Sequence, residues 1–375
     1  MIREAFGLIS PGDEIPGLRE LIEERTVAAL PIAGKYRTID FPLSNMVNSD
    51  IRNVGVIVTR KYSSLMGHCG SGKAWDLSRK TEGLSFLTPF SLRGNTGIYR
   101  GKVEALKSSV YFIRQARQPY CVLSDVTNIF NCNYSDMMRF HVESGADITA
   151  LYHTVEADHT VDEHFDEVFF ELSGEGRIQH IIVNPVSPSL TARSLRSYII
   201  RKDLLVQLVE ECYAKGEHKF NEHLLRNNLH RLRIMGYEHK GFVGMLKSVQ
   251  SYFDIHMALL SEKVRDDLFQ RKNRIYTKAK DSVPTKYGMS ADIKNSLVAN
   301  ECIIEGSVEN CVLFRNVHVG KDVSIKNSIL FSSVEVREGA ELEYVILDRD
   351  VSVRRKSRLI GSENYPIVVG KGRMV

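Results

Sequence analysis

The spacing of apolar residues changes character once along this chain, and the change divides it. Over the first two-thirds, short apolar runs alternate with segments of helical spacing. Ala5 to Ile9 and Val54 to Thr59 read as buried strands. Val103 to Ala116 carries apolar residues at helical spacing, and Tyr120 to Leu123 follows as another strand. Tyr134 and Ser135 open a helix through Val142 that Gly145 ends, and Asp147 to His153 is a further strand. Strands alternating with helices predict a mostly parallel sheet covered on both faces. Ligands of such a sheet sit beyond the carboxyl ends of its strands, and Thr127 lies just past one of those ends.

From Asn295 the pattern becomes repetitive. Asn310-Cys311-Val312-Leu313, Asn327-Ser328-Ile329-Leu330 and Tyr344-Val345-Ile346-Leu347 share a 17-residue register. Short steps such as Val317 to Val319, Val334 to Val336 and Val351 to Val353 lie between them, with Gly or charged residues at the corners. Each unit is too short to bury its own apolar face, so the units must stack. Steps of about six residues with aliphatic anchors predict a left-handed parallel β-helix of the hexapeptide type. The expected organisation is an α/β domain over residues 1–250, a connector with a helix over 251–289, and the β-helix over 290–375. Pro284 and Gly288 punctuate the connector.

Composition narrows the classes. With 375 residues and 43% hydrophobic content the chain can bury a full core. A net charge of +4 with no basic run interleaved with aromatics points to small anions in local pockets, not to nucleic acid. The six cysteines are scattered without a CxxC, so neither a zinc site nor a disulfide framework is expected. No stretch has the length of a membrane span, and the N-terminus lacks a signal-peptide core, so a cytoplasmic protein is expected.

The text Gly34-Lys35-Tyr36-Arg37-Thr38-Ile39-Asp40-Phe41-Pro42-Leu43-Ser44-Asn45 narrows the choice further. It closely resembles a signature of bacterial glucose-1-phosphate adenylyltransferase (ADP-glucose pyrophosphorylase). Trp75-Asp76-Leu77, Tyr99-Arg100-Gly101, Pro284 to Tyr287 and Ser296 to Phe314 are similar to the same family in the same order. The resemblance implies a Rossmann-like nucleotidyltransferase (GT-A-like) domain and a tetramer under control by small phosphorylated metabolites. It also implies that ADP-glucose is made from ATP and glucose 1-phosphate for glycogen.

The chain departs from the family where the chemistry is done. The expected metal-binding aspartates fall at Thr127 and Phe242, and neither side chain can hold the magnesium that phosphoryl-type transfer requires. The glycine-rich phosphate loop becomes Ser10-Pro11-Gly12-Asp13-Glu14-Ile15-Pro16-Gly17, in which prolines remove N–H donors and two acids put negative charge where a triphosphate would lie. The loop arginine has at most a relic in Arg19. A family lysine falls at Val27, the phosphate-gripping lysine at Asn184, and two family glycines at Val168 and Arg196. This pattern resembles the second, non-catalytic subunit type of the family (the GlgD type). Catalytic residues and a bound metal are therefore not expected in this chain, magnesium being expected in a catalytic partner subunit within a heterotetramer. Arg25 and Arg37 match basic positions at which the family binds its phosphorylated effector, and Lys35 lies beside them.

Other features carry less. Gly67 to Lys73 matches GxxxxGK, but Ala74 stands where a phosphate loop needs Ser or Thr, so a chance match is expected. His153, His159 and His164 lie among Asp158, Asp162, Glu163, Asp166 and Glu167 without metal-ligand spacing and read as a solvated surface. Arg354, Arg355, Lys356 and Arg358 form a basic corner of the β-helix. Two other functions stay open at this point. One is weak adenylyltransferase activity through Asp125 or Asp40. The other is the acyl transfer hosted by many hexapeptide β-helices, for which His318 is the one histidine available.

Overall fold

The computed structural model describes residues 4–10, 15–89, 99–156, 165–185 and 190–375. A nine-stranded sheet forms the first domain. Ala5–Ser10 lies between Asn53–Ile57 and Tyr120–Asp125, parallel to both, and Gly83–Leu87 extends the parallel run at the edge. Ala192–Arg201 then runs antiparallel between Tyr120–Asp125 on one side and Ile148–Thr154 and Val168–Leu172 on the other. Ile234–Glu238 continues parallel to Ile148–Thr154, while Ile178–Val183 pairs antiparallel with Val168–Leu172. Only Ala192–Arg201 and Ile178–Val183 oppose the common direction, so the sheet is mostly parallel.

Alternation along the strands builds one core on each face. Phe6, Leu8, Cys121 and Leu123 face the helices Lys102–Ser108, Val110–Gln115 and Lys202–Ala214. Ala5, Ile9 and Val122 face a second core that includes Asp40–Asn48 and Tyr134–Glu143. The expected Val103–Ala116 helix is broken at Ser109. Ser108 and Ser109 both donate their hydroxyls to the Ala105 carbonyl, at 2.7 and 3.0 Å, and this local bonding competes with the helical ladder.

The tail is a left-handed parallel β-helix of three five-stranded sheets. Its register is 17 residues in the later coils (Val312↔Ile329↔Ile346) and 15 in the first (Leu297↔Val312). Corners turn through left-handed residues. Asn295, Asn310, Asn327 and Tyr344 have φ of 40, 52, 44 and 51°, a conformation that asparagine adopts more readily than most residues. The asparagines also form a ladder, with Asn295 Nδ2 donating to Asn310 Oδ1 at 2.8 Å and Asn310 Nδ2 to Asn327 Oδ1 at 3.3 Å.

The expected connector differs from what is found. Its helix spans Val249–Ala258, capped by Ser248, and a second helix spans Glu262–Leu268. Tyr252, Phe253, Ile255 and His256 of the first are buried against Phe314, Phe331 and Ile346 of the β-helix, so residues 249–258 belong to a core continuous through both domains. The β-helix itself begins at Lys286–Tyr287, inside the expected connector, because those residues already pair in parallel with Ile303–Ile304.

Candidate functional site: a cleft and a seam

Two regions bring charged side chains together. The first is a cavity of about 990 Å³ at the carboxyl ends of the parallel strands, reached by Ser10, Thr59, Arg60, Lys102, Arg196 and Lys219. At its wall the Lys102 ammonium lies 3.5 Å from Asp125 Oδ2, with both side chains nearly buried. It also lies 5.9 Å from the ring centre of Tyr198 and 5.4 Å from that of Phe220. Asp125 Oδ1 accepts the Thr127 backbone N–H at 3.0 Å. Thr127 is wholly buried, and its carbonyl accepts the Leu246 N–H at 2.8 Å. Asn128–Ile129 pairs with Gly244–Met245, so the segments carrying Thr127 and Phe242 run side by side. Phe242 packs half-buried against the main core and donates its N–H to the Asp267 carboxylate. Neither position offers a carboxylate, and Asp125 is engaged by its own chain through both oxygens. Among the described residues no three His, Cys, Asp or Glu side chains converge as metal ligands.

The neighbouring positions are turned to local structure as well. Asn184, at φ 50°, accepts the Glu167 N–H at 2.7 Å and donates to Asp166 Oδ1 at 3.2 Å, holding the loop in front of the cleft. Arg196, at φ 53°, lies 4.6 Å from the ring centre of Phe165 and donates to the Asp166 carbonyl. Val27 and Val168 are core residues. Pro11, Gly12, Asp13 and Glu14 lie outside the described residues, as do Asp158, His159, Asp162, Glu163 and His164. His153 Nδ1 bonds the His239 carbonyl at 2.9 Å. Gly67 to Lys73 follows no strand: it spans the end of the Ser63–Cys69 helix and a tight turn.

The second region is the seam between the domains. The Arg25 guanidinium holds both oxygens of Asp348, at 2.8 and 3.0 Å, and lies 5.7 Å from the ring centre of Phe331. Arg37 donates to the Ser64 carbonyl at 2.7 Å and to its hydroxyl at 2.9 Å. Burial lowers its pKa, Arg25 and Arg349 push the same way, and Asp40 opposes them. Burial also lowers the Lys280 pKa, and Arg315, Arg349 and Arg37 add to the depression. Lys35 is exposed, its ammonium 4.9 Å from the ring centre of Tyr36. Arg19 donates to the Tyr365 hydroxyl at 3.1 Å, so the Pro16–Ile22 segment touches the cleft on one side and the last coil on the other.

A family model described as nucleotidyl transferase matches residues 18–262, and one described as GlmU-like, C-terminal hexapeptide matches residues 279–365. The glycogen biosynthesis protein GlgD of Bacillus subtilis is 34% identical over 318 residues, covering 85% of this chain and 81% of that protein. The chain belongs to the glucose-1-phosphate adenylyltransferase family. GlgD of Geobacillus stearothermophilus is 34% identical over 321 residues, covering 86% of this chain and 82% of that one. The glucose-1-phosphate adenylyltransferase of Fusobacterium nucleatum is 30% identical over 324 residues, covering 85% and 83%.

Against that family the three basic residues singled out in the sequence separate. Arg25 is buried in an interdomain ion pair and Arg37 is anchored to Ser64, while Lys35 stands on the surface nearby. The seam adds Lys280, Arg315 and Arg349, which sequence reasoning missed. They come from the connector and two different coils, and no local pattern connects them before the domains dock. Lys102 was missed too. It directly follows the Tyr99-Arg100-Gly101 motif, and its meaning depends on Asp125, 23 residues away. Asp40, an alternative acid, is buried away from the cleft: it accepts the Arg37 N–H at 3.0 Å and pairs with His68 at 2.6 Å.

Proposed function

We propose that this chain is a regulatory, non-catalytic subunit of glucose-1-phosphate adenylyltransferase. In this reading it assembles in the cytoplasm with a catalytic subunit and modulates ADP-glucose synthesis for glycogen. The observation that carries the reading is the pair of positions 127 and 242, a buried threonine bonded through its backbone and a phenylalanine packed on the core. Losing both carboxylates removes the charge that would hold magnesium against a developing pyrophosphate, and one lost electrostatic element of this kind costs on the order of a hundredfold or more in rate. Asp125 is a poor substitute for them, because both of its oxygens are already engaged, one by the Lys102 ammonium and one by the Thr127 N–H.

In this reading regulation acts at the seam. Burial and neighbouring guanidinium groups lower the affinity of Arg37 and Lys280 for protons, Arg349 acting on both, and an anion set beside them relieves that repulsion. A small phosphorylated metabolite has that chemistry, with Arg25 and Lys35 at the border of the cluster. An effector there couples to the partner reciprocally: whatever it changes in the partner's affinity for substrate, substrate changes in its own binding. The test is ADP-glucose synthesis by the purified chain with ATP, glucose 1-phosphate and magnesium. The expected result is no turnover above background. Sustained magnesium-dependent synthesis would instead establish a weakly active adenylyltransferase and end this reading.

A further inference from the structure

The cleft has lost the carboxylates of a magnesium site and the glycine-rich phosphate loop, but it keeps basic side chains along its walls. Among the described residues lining it, eight lysines and arginines stand against four carboxylates; Arg25, Arg100 and Lys102 are also paired with Asp348, Glu104 and Asp125 from outside the lining, so the excess is 8 − 4 − 3 = 1 positive charge. Ile15, Val27, Val168 and Phe220 form apolar wall between them, so the charges act across a medium of lower dielectric than water. At about 990 Å³ the space matches a ligand of nucleotide size.

We propose that this cleft binds a phosphate-bearing anion without any divalent cation, the Lys102 ammonium acting as a tethered cation in the metal's stead. The ammonium is held 3.5 Å from Asp125 Oδ2, and the two side chains are only 9% and 1% exposed. Asp125 Oδ1 is taken by the Thr127 N–H at 3.0 Å. A magnesium ion needs open carboxylate oxygens and near-octahedral space. To reach Asp125 it must displace an ammonium that is itself nearly buried, stranding one charge for another. The rings of Tyr198 and Phe220 hold the ammonium in place through their faces. Charge that a catalytic site supplies by a dissociable ion is here part of the chain. The inference goes beyond the regulatory reading and does not depend on assembly with any partner.

Titration calorimetry on the full chain tests it, with ADP and inorganic pyrophosphate as probes, in EDTA and in saturating magnesium. Saturable binding of at least one probe in EDTA is expected, no weaker than about threefold relative to magnesium. Lys102→Met weakens it by about tenfold or more, equal to about 1.4 kcal/mol, and Lys102→Arg keeps most of it. Arg358→Ala, at an exposed corner of the β-helix, leaves it unchanged. No binding in EDTA, or binding that requires magnesium, overturns the proposal. So does binding that Arg358→Ala abolishes while Lys102→Met spares it. If Lys102→Met does not fold, the comparison of EDTA with magnesium on the unmodified chain still decides. Turnover is read separately. A chain that neither binds nor turns over refutes this inference alone, whereas magnesium-dependent binding with turnover refutes the regulatory reading as well.

Discussion

The cleft and the seam meet the same family likeness in opposite ways. In the cleft each position at which the likeness predicts chemistry carries a side chain committed elsewhere: Thr127 to a backbone pairing, Phe242 to the core, and Asn184 and Arg196 to the Asp166 loop. At the seam the matching residues Arg25 and Arg37 are present and wired across the domain boundary or into the fold. The same scaffold thus keeps basic residues of the family at its domain seam while the positions of the expected carboxylates in its cleft carry side chains engaged in packing and local hydrogen bonds. The seam is also the more stringent construction, because Arg25 and Asp348 are both nearly buried and each depends on the other.

That contrast breaks most visibly if the seam pair is cut. Removing one partner of a buried ion pair leaves an uncompensated charge and costs about 3–5 kcal/mol. Arg25→Ala and Asp348→Ala should each lower the urea midpoint accordingly, and the double variant should cost clearly less than the sum of the two. Equal additivity would mean that the pair contributes nothing as a pair.

Acid should loosen the seam next. His256 is buried between Tyr252 and Phe314. It donates through Nδ1 to the Tyr252 carbonyl at 2.9 Å and accepts the Ala33 N–H at Nε2 at 3.4 Å. Burial pushes its pKa down to about 4, as it does for His141. The unfolded chain therefore binds protons that the folded one does not. The stability these neutral rings contribute is complete above the ordinary histidine pKa of about 6.5, and it drains away as pH falls towards about 4. Melting temperature measured across that window should fall, and His256→Gln should flatten the fall.

A smaller effect belongs to the cap of the Tyr134–Glu143 helix. The Asn133 side chain accepts the Ser135 N–H at 2.8 Å, and Asn133→Ala should cost about 1 kcal/mol in denaturant unfolding. At the bottom of the scale stands the basic corner of the β-helix. Arg358 pairs with Glu341 at 3.1 Å, but both side chains are largely in water, at 71 and 60% exposure. Arg358→Ala should leave thermal unfolding unchanged, and a large loss there would show that the corner is part of the folded architecture.

Much of this architecture is legible before folding. Ala5–Ser10, Asn53–Ile57 and Tyr120–Asp125 are visible as apolar runs, and the β-helix is visible in its 17-residue register. Ala192–Arg201 is harder to see. Its pairing with Ile148–Thr154 shifts between Ser194 and Tyr198, and Arg193, Ser194, Arg196 and Ser197 disguise a central strand whose polar groups find partners only in the folded sheet. The packing of the connector is not legible in the sequence, because the Val249–Ala258 helix packs on both the first domain and the β-helix, and sequence shows only that it is apolar. In the cleft the missing carboxylates are readable from Thr127 and Phe242. The pairing of Lys102 with Asp125 is not, because it depends on a three-dimensional approach across 23 residues of sequence.

The central claim is that a silent chain acts through another. It is met most directly by measuring ADP-glucose synthesis by a catalytic subunit from the same cell, with and without this chain at equal concentration, over a range of phosphorylated effector. The account predicts a changed maximal rate or effector response in the mixture, with that change weakened by Arg37→Ala and Lys280→Ala. Identical rates and effector curves with and without the chain, when the two are shown to be folded and mixed in excess, would contradict it.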